Sequence, residues 1–257
     1  MSINPYEPES LPLDRIDWVS HIPNLGEANR RIARYDGILR SIVNPRVLLA
    51  PIMTQEAVVS SRIEGTQASL GDVLHYEADP KEEISQTRRD DIQEILNYRK
   101  AMVAAVELME DSPLCVNTIQ ELHRTLLCGV RGQDKEPGEI RRIQNYIGLY
   151  GKSIEEATFV PPAPPMVRDA LTNWENYLHS NEKDVLVQTA ILKAQFELIH
   201  PFLDGNGRIG RMLVPLILYS KAVISSPMFY ISAYLESHDD VYYARLRAIS
   251  EDGDWDG

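Results

Sequence analysis

Two apolar helical stretches are joined by His200-Pro201-Phe202-Leu203-Asp204-Gly205-Asn206-Gly207-Arg208-Ile209-Gly210-Arg211, and this segment constrains the chain more than any other. The incoming stretch carries Ile191, Leu192, Phe196 and Ile199 and delivers His200 to its C-terminal end. There Pro201 cannot continue a helix without losing a hydrogen bond. Gly205 and Gly207 permit backbone geometry that other residues resist, so successive N–H groups can turn inward as an anion-binding nest at the start of the next helix. Arg208 and Arg211, three residues apart on that helix, lie on neighbouring faces of one turn and can reach the same anion. Asp204 is an acid beside a phosphate nest, which calls for a divalent cation such as Mg2+ between it and the phosphates. His200 is then left as the base. A lone histidine, an Asp-Gly-Asn-Gly turn and paired arginines each have an ordinary structural reading. Turn chemistry alone uses neither a histidine nor a repeated arginine, so together these residues read as a phosphate site.

Charge argues the same way. Lys and Arg total 26 against 38 Asp and Glu, a formal net charge of −12, which opposes the broad basic surface a nucleic-acid protein needs. A polyphosphate must be met here by a few concentrated cations, a metal and backbone N–H groups. The only cysteines, Cys115 and Cys128, are too few for a metal framework and are expected reduced and buried, in keeping with a cytoplasmic setting. No apolar run approaches the roughly 20 residues of a membrane-spanning helix. The 257 residues, 44% of them hydrophobic, suffice for one substantial core.

The rest of the chain reads as mainly α. Residues 1–23 mix Pro, Asp and Glu without a period and are expected to drape over the surface. Helical patterning begins near Leu25, and a second helix is expected from Ile52 to Glu64, closed by Gly65. A charged connector, 78–90, leads to helices near 91–110 and 116–127. Between Pro137 and Pro165, Ile143 to Ile147 and Thr158 to Val160 suit two strands of a small β-hairpin. Helices follow near 166–180, 184–199, 206–222 and 239–250. These elements divide into an N-terminal helical lobe, 1–85, and a core domain, 86–257, in one compact unit. The acidic, glycine-punctuated ending around Trp255 suggests an interrupted chain with a further downstream region.

His200 to Arg211 resembles the motif of the Fic family, HxFx(D/E)GNGRxxR, at every defined position, and the family fold is a helical bundle with a β-hairpin flap. The resemblance implies a protein adenylyltransferase that moves AMP from ATP to a Ser, Thr or Tyr hydroxyl of a protein target, the chain itself included. His200 would be the general base, Asp204 the Mg2+ ligand, and Gly205, Asn206 and Gly207 the anion hole. Arg208 and Arg211 would hold the outer phosphates. Gly207, where the reversed-orientation kinases of the family resemblance carry a lysine, favours AMP transfer. Ser60-Ser61-Arg62-Ile63-Glu64-Gly65 resembles the family's inhibitory motif (S/T)xxxE(G/N), placed on an N-terminal helix. Ser60 and Glu64 share a helix face, and an anion in a last helical turn invites a cationic partner, which the resemblance identifies as Arg211. The segment around Tyr146, Ile147 and Gly148 resembles the target-clamping flap, and Tyr242 and Tyr243 resemble the pair bordering the adenine. The same site could remove AMP with a water oriented by Glu64, or serve as a nucleotide-sensing module without turnover. The resemblance leaves a homo-oligomer open and gives no membrane or nucleic-acid partner. His21, His75, His123, His179 and His238 show no ligand spacing and are expected to be structural or surface residues.

Overall fold

The computed structural model describes residues 4–43, 45–81, 83–148 and 151–257, with only the backbone for 45–49. Ten α-helices follow one another among these residues: α1 Trp18–Ser41, α2 Pro45–Ile63, α3 Leu70–Ala78, α4 Gln86–Asp111, α5 Val116–Leu126, α6 Pro164–His179, α7 Val185–Ile199, α8 Asn206–Ser220, α9 Ser232–Ser237 and α10 Asp239–Asp252. The mainly helical class is as expected, and several ends have visible causes. Asp17 accepts the Val19 and Ser20 N–H groups at the start of α1, and Asp184 accepts those of Leu186 and Val187 at the start of α7, so each cap pairs two otherwise orphan donors of its first turn. Pro164 opens α6, where its missing N–H costs nothing.

The main core is built from α4 to α8. Ile92, Ile95, Tyr98 and Met102 of α4 and Ile119, Leu122 and Leu126 of α5 meet Trp174, Leu192, Phe196, Ile209, Leu213 and Ile217. Trp174 is wholly buried and donates its indole N–H to the Leu192 carbonyl at 2.7 Å, so its one polar atom is satisfied within the core. Ala57 and Val58 of α2 join the same cluster. This puts the end of α2 against α8, the helix that opens on the motif.

Five features differ from expectation. Helix α1 starts at Trp18 and not near Leu25, because Asp17 caps it and Pro23 is accommodated inside. Helix α3, for which no helix was expected, forms on a capping box in which Ser69 and Asp72 each serve the other's backbone N–H. It buries only Val73, which is why no apolar stripe announces it. The expected hairpin is reduced, among the described residues, to one antiparallel bridge between Ile147 and Phe159. Side chains of Arg141, Gln144 and Asn145 take the carbonyls of residues 161, 162 and 202, so this segment is held by side chains and not by a ladder. Its tip, 149–150, lies outside the described residues. The leader is also more than a surface drape: Leu11 and Ile16 are buried, and Leu11 pairs with Asn173 through both its N–H and its C=O, at 2.8 and 2.9 Å. Trp255 packs against the core edge and donates to Glu9 at 2.9 Å. Both cysteines are free, but Cys128 is exposed in the turn after α5 and not buried. No described helix is long and apolar enough to cross a membrane.

Candidate active site

His200 ends α7 in the left-handed conformation, φ 50° and ψ 60°. An L residue holds that geometry only when its surroundings fix it. Here Arg141 does so: its Nε donates to the His200 carbonyl at 2.8 Å, and its Nη2 donates to the carbonyls of Pro162, at 2.6 Å, and Ile199, at 3.3 Å. Orphan carbonyls at a helix end thus receive a buried guanidinium, whose own pKa burial lowers to about 10. The imidazole Nδ1 lies 3.2 Å from the Glu197 carbonyl and must donate to it, which leaves Nε2 as the lone-pair nitrogen. Burial, then the nearby Arg141 charge, lowers the His200 pKa against the opposing pull of Glu197 and Glu64. The ring is therefore neutral and basic at neutral pH.

The following loop is closed from within and from below. Asn206 accepts the Phe202 N–H at 2.9 Å and donates back to the Phe202 carbonyl at 2.8 Å. Its side chain therefore shapes the loop, and only its backbone N–H remains for an anion. His123 stacks on Phe202 with ring centroids 3.8 Å apart, accepts the Gly138 N–H on Nδ1 at 2.8 Å and donates from Nε2 to the Asp204 carbonyl at 2.9 Å. Burial lowers its pKa to about 4, so it stays neutral and keeps this donor and acceptor pattern. It is a structural histidine, as expected, but one that braces the motif. Gly205 has φ 77°, a conformation that strains an L side chain, and a Cβ there would only touch His123.

Glu64 lies on the nest itself. Its Oε1 accepts from Arg211 Nη2 at 2.7 Å, and it presses so close to Gly207 that any side chain at that position would collide with it. Arg211, 2% exposed, also donates from Nε to Ser60 Oγ at 2.8 Å and from Nη2 to the Ser60 carbonyl at 2.9 Å. The Ser60, Glu64 and Arg211 expected as one group are brought together. Gly65, at φ 99°, turns the chain out of α2, and the Thr66 N–H closes on the Ser61 carbonyl at 3.1 Å. Burial acts to raise the Glu64 pKa, yet Arg211, by charge and hydrogen bond, with Arg208 and His200 beyond it, holds the carboxyl below the usual carboxylate range. Arg62, in the same turn, is gripped by Glu236 of α9 at 2.6 and 3.0 Å.

Arg208 is 4% exposed and reaches Glu94 at 3.2 Å and Asp204 at 3.5 Å, while its buried Nε has no partner among the described residues. Asp204 is 38% exposed and takes the Gly205 N–H at 2.5 Å. No cluster of three metal-ligating side chains exists among the described residues. A single half-open carboxylate suits Mg2+, which keeps most of its waters and draws its other ligands from phosphate. Tyr242 is turned inward, its hydroxyl on Glu197 and Lys193, and Gly210 of α8 packs against that same Glu197. Tyr243 is 51% exposed and feels the charges of Glu64 and Arg211. Of the expected pair, Tyr243 alone is presented at the rim. Tyr146 and Ile147 are each 42% exposed, and Gly148 packs on the Ala157 backbone at a distance a Cβ would reduce to 3.2 Å.

The Fic/DOC family N-terminal model matches residues 22–107 and the Fic/DOC family model matches residues 113–218. A protein adenylyltransferase Fic of Drosophila ananassae is 32% identical over 133 residues, 50% of this chain and 24% of its own length. A probable protein adenylyltransferase of Aquifex aeolicus is 39% identical over 89 residues, 32% of this chain and 28% of its own length. The chain therefore spans about a quarter of the length of these curated relatives. Among solved structures, a Fic family protein of Desulfovibrio desulfuricans G20 aligns with TM-score 0.68 at 23% identity, covering 98% of this chain and 71% of that one. A Fic-domain-containing signalling protein of Bacteroides thetaiotaomicron aligns with TM-score 0.67 at 19% identity, covering 85% and 80%.

Proposed function

Because the chain belongs to the Fic/DOC family, we propose that it transfers AMP from ATP to a hydroxyl of a protein target and that Glu64 restrains this activity. The observation that carries the proposal is the placement of one neutral histidine, one glycine nest and two buried arginines around the same loop, with Glu64 seated on the nest. Nε2 of His200 accepts the proton of a Ser, Thr or Tyr hydroxyl as its oxygen attacks the α-phosphorus. The new P–O bond forms while the bond to the bridging oxygen breaks, and pyrophosphate leaves. The N–H groups of residues 206 and 207 and the free edge of Arg208 stabilise the charge on the phosphates in a partly desolvated site, the Gly205 N–H being taken by Asp204. Asp204 would hold Mg2+, which supplies charge neutralisation for the phosphates. The direct test is incubation of the protein, wild type and Glu64→Gly, with α-labelled ATP, Mg2+ and lysate. Label on protein that depends on His200 supports the reading, and no label with either protein overturns it.

The segment around Tyr146 to Gly148 is proposed to position the acceptor. Ile147 already uses its N–H on the Phe159 carbonyl, at 2.9 Å, and its carbonyl on Thr158, at 2.7 Å. Proline at Ile147 would remove that donor and open the bridge. Target labelling should fall roughly tenfold or more, while ATP affinity measured by calorimetry stays near that of the parent. Equal loss of both would assign the segment to the nucleotide instead.

A further inference from the structure

Beneath Arg208 lies a carboxylate that the reaction above does not use. Glu94, on α4, has a side chain only 1% exposed. Its Oε2 accepts from Thr66 Oγ1 at 3.0 Å and from Arg208 Nη1 at 3.2 Å, and Arg131 Nη2 lies 3.2 Å from Oε1 and 3.3 Å from Oε2. One negative charge therefore faces two guanidiniums. Asp204, 3.5 Å from Arg208 Nη2, supplies the second carboxylate of the group, and because Asp204 and Arg131 are both partly exposed their charges remain open to a further ligand.

The two arginines differ in a way that suits a shared ligand. Arg208 is 4% exposed and fixed by Glu94 along one edge, while its Nε points at no partner among the described residues. Arg131 is 59% exposed, so only the tip of its fork is engaged on Glu94 and its other donors face solvent. Its neighbour Gly132, at φ 90°, lies where a Cβ would come within 2.6 Å of Asp204 Oδ2. The loop that carries Arg131 is thus pressed against the carboxylate flanking the nest. Arg131 therefore shares one carboxylate with Arg208, the residue proposed above for the outer phosphates, and its loop abuts Asp204.

We infer that Arg131 is a further ligand for the polyphosphate end of the nucleotide and for the leaving pyrophosphate, set in place beside Arg208 by Glu94. This rests on the proposed nucleotide reading. A cation in that place discriminates by phosphate number: it engages ATP and pyrophosphate, which carry outer phosphates, and leaves AMP untouched.

The test uses the full chain with Glu64→Gly as parent, so that the nest is open, and adds Arg131→Met or Arg131→Lys. Calorimetric affinities for ATP, pyrophosphate and AMP are compared in Mg2+. Arg131→Met should weaken ATP and pyrophosphate by roughly 5–10-fold and leave AMP affinity and the circular-dichroism spectrum unchanged, with Arg131→Lys recovering part of the loss. ATP and pyrophosphate affinities equal to the parent's would overturn the inference, as would an equal loss for AMP. A parent that binds neither ATP nor pyrophosphate would overturn the nucleotide reading along with it.

Discussion

Glu64→Gly is expected to raise AMP incorporation, at equal protein and ATP, by roughly 10–100-fold over wild type. The carboxylate makes a 2.7 Å charge-assisted bond to Arg211, and a bond of that kind contributes about 1.5–3 kcal/mol. Its side chain is 34% exposed, so solvent screens part of the charge and favours the lower half of that range. Two effects add to the bond. Arg211 is withheld from the nucleotide, and Oε1 occupies the space over Gly207 into which a phosphate oxygen must come. Removal touches neither His200 nor the backbone N–H groups. Glu64→Gln should activate less, because the amide keeps the bulk over Gly207 while losing the charge. Since Arg211 holds the Glu64 pKa below the ordinary carboxylate range, the restraint is present at all pH values above that lowered pKa and is lost only as pH falls through it. Mild acid therefore leaves wild type restrained. The measurement is label incorporated per minute across a series of ATP concentrations, with circular dichroism as the check on folding. A Glu64→Gly protein that folds and is no more active than wild type at every ATP concentration would remove the inhibitory role of Ser60 to Gly65.

The reach of the sequence differs between parts of this site. The motif residues were legible because they are consecutive: a proline that stops a helix, glycines that free the backbone and arginines at helical spacing all speak in twelve positions. The partnership of Glu64 with Arg211 was legible only as a requirement for some cation, and the resemblance supplied which one. His123 and Arg141 gave no local signal. His123 sits in an ordinary amphipathic helix and meets Asp204 across a separation of 81 residues, and Arg141 meets His200 across 59. Glu94 and Arg131 likewise carry no local signal, although Glu94 is buried under two guanidiniums. The hairpin was overstated for a related reason. Ile143, Tyr146 and Ile147 suit a strand by residue type, but Arg141, Gln144 and Asn145 claim the carbonyls of Pro162, Pro161 and Phe202, leaving among the described residues a single bridge. Short helices such as α3 escape because one buried valine makes no stripe.

His200→Ala is expected to lower transfer by roughly 10²–10⁴-fold, the usual contribution of a positioned general base, while ATP binding persists. The phosphate ligands proposed above are the 206–207 backbone, Arg208 and Arg211, and none of them bonds to the imidazole among the described residues. The experiment is best run in the Glu64→Gly background, where transfer is large enough to lose. Alanine is strained at φ 50°, so His200→Asn, which tolerates the left-handed region, separates a lost base from a lost backbone geometry. Both variants should retain ATP affinity and lose transfer to the same degree. The pH profile carries an independent sign. The base must be unprotonated, and burial with Arg141 lowers its pKa from the ordinary 6.5, so transfer should hold as pH falls through 6.5 and decline only below it. Glu64 pulls that pKa upward, hence the acid limb of the Glu64→Gly protein should lie lower than that of wild type. A limb at or above 6.5, or labelling by His200→Asn equal to the parent's, would take the proton-accepting role away from His200 and leave it as a loop residue held by Arg141.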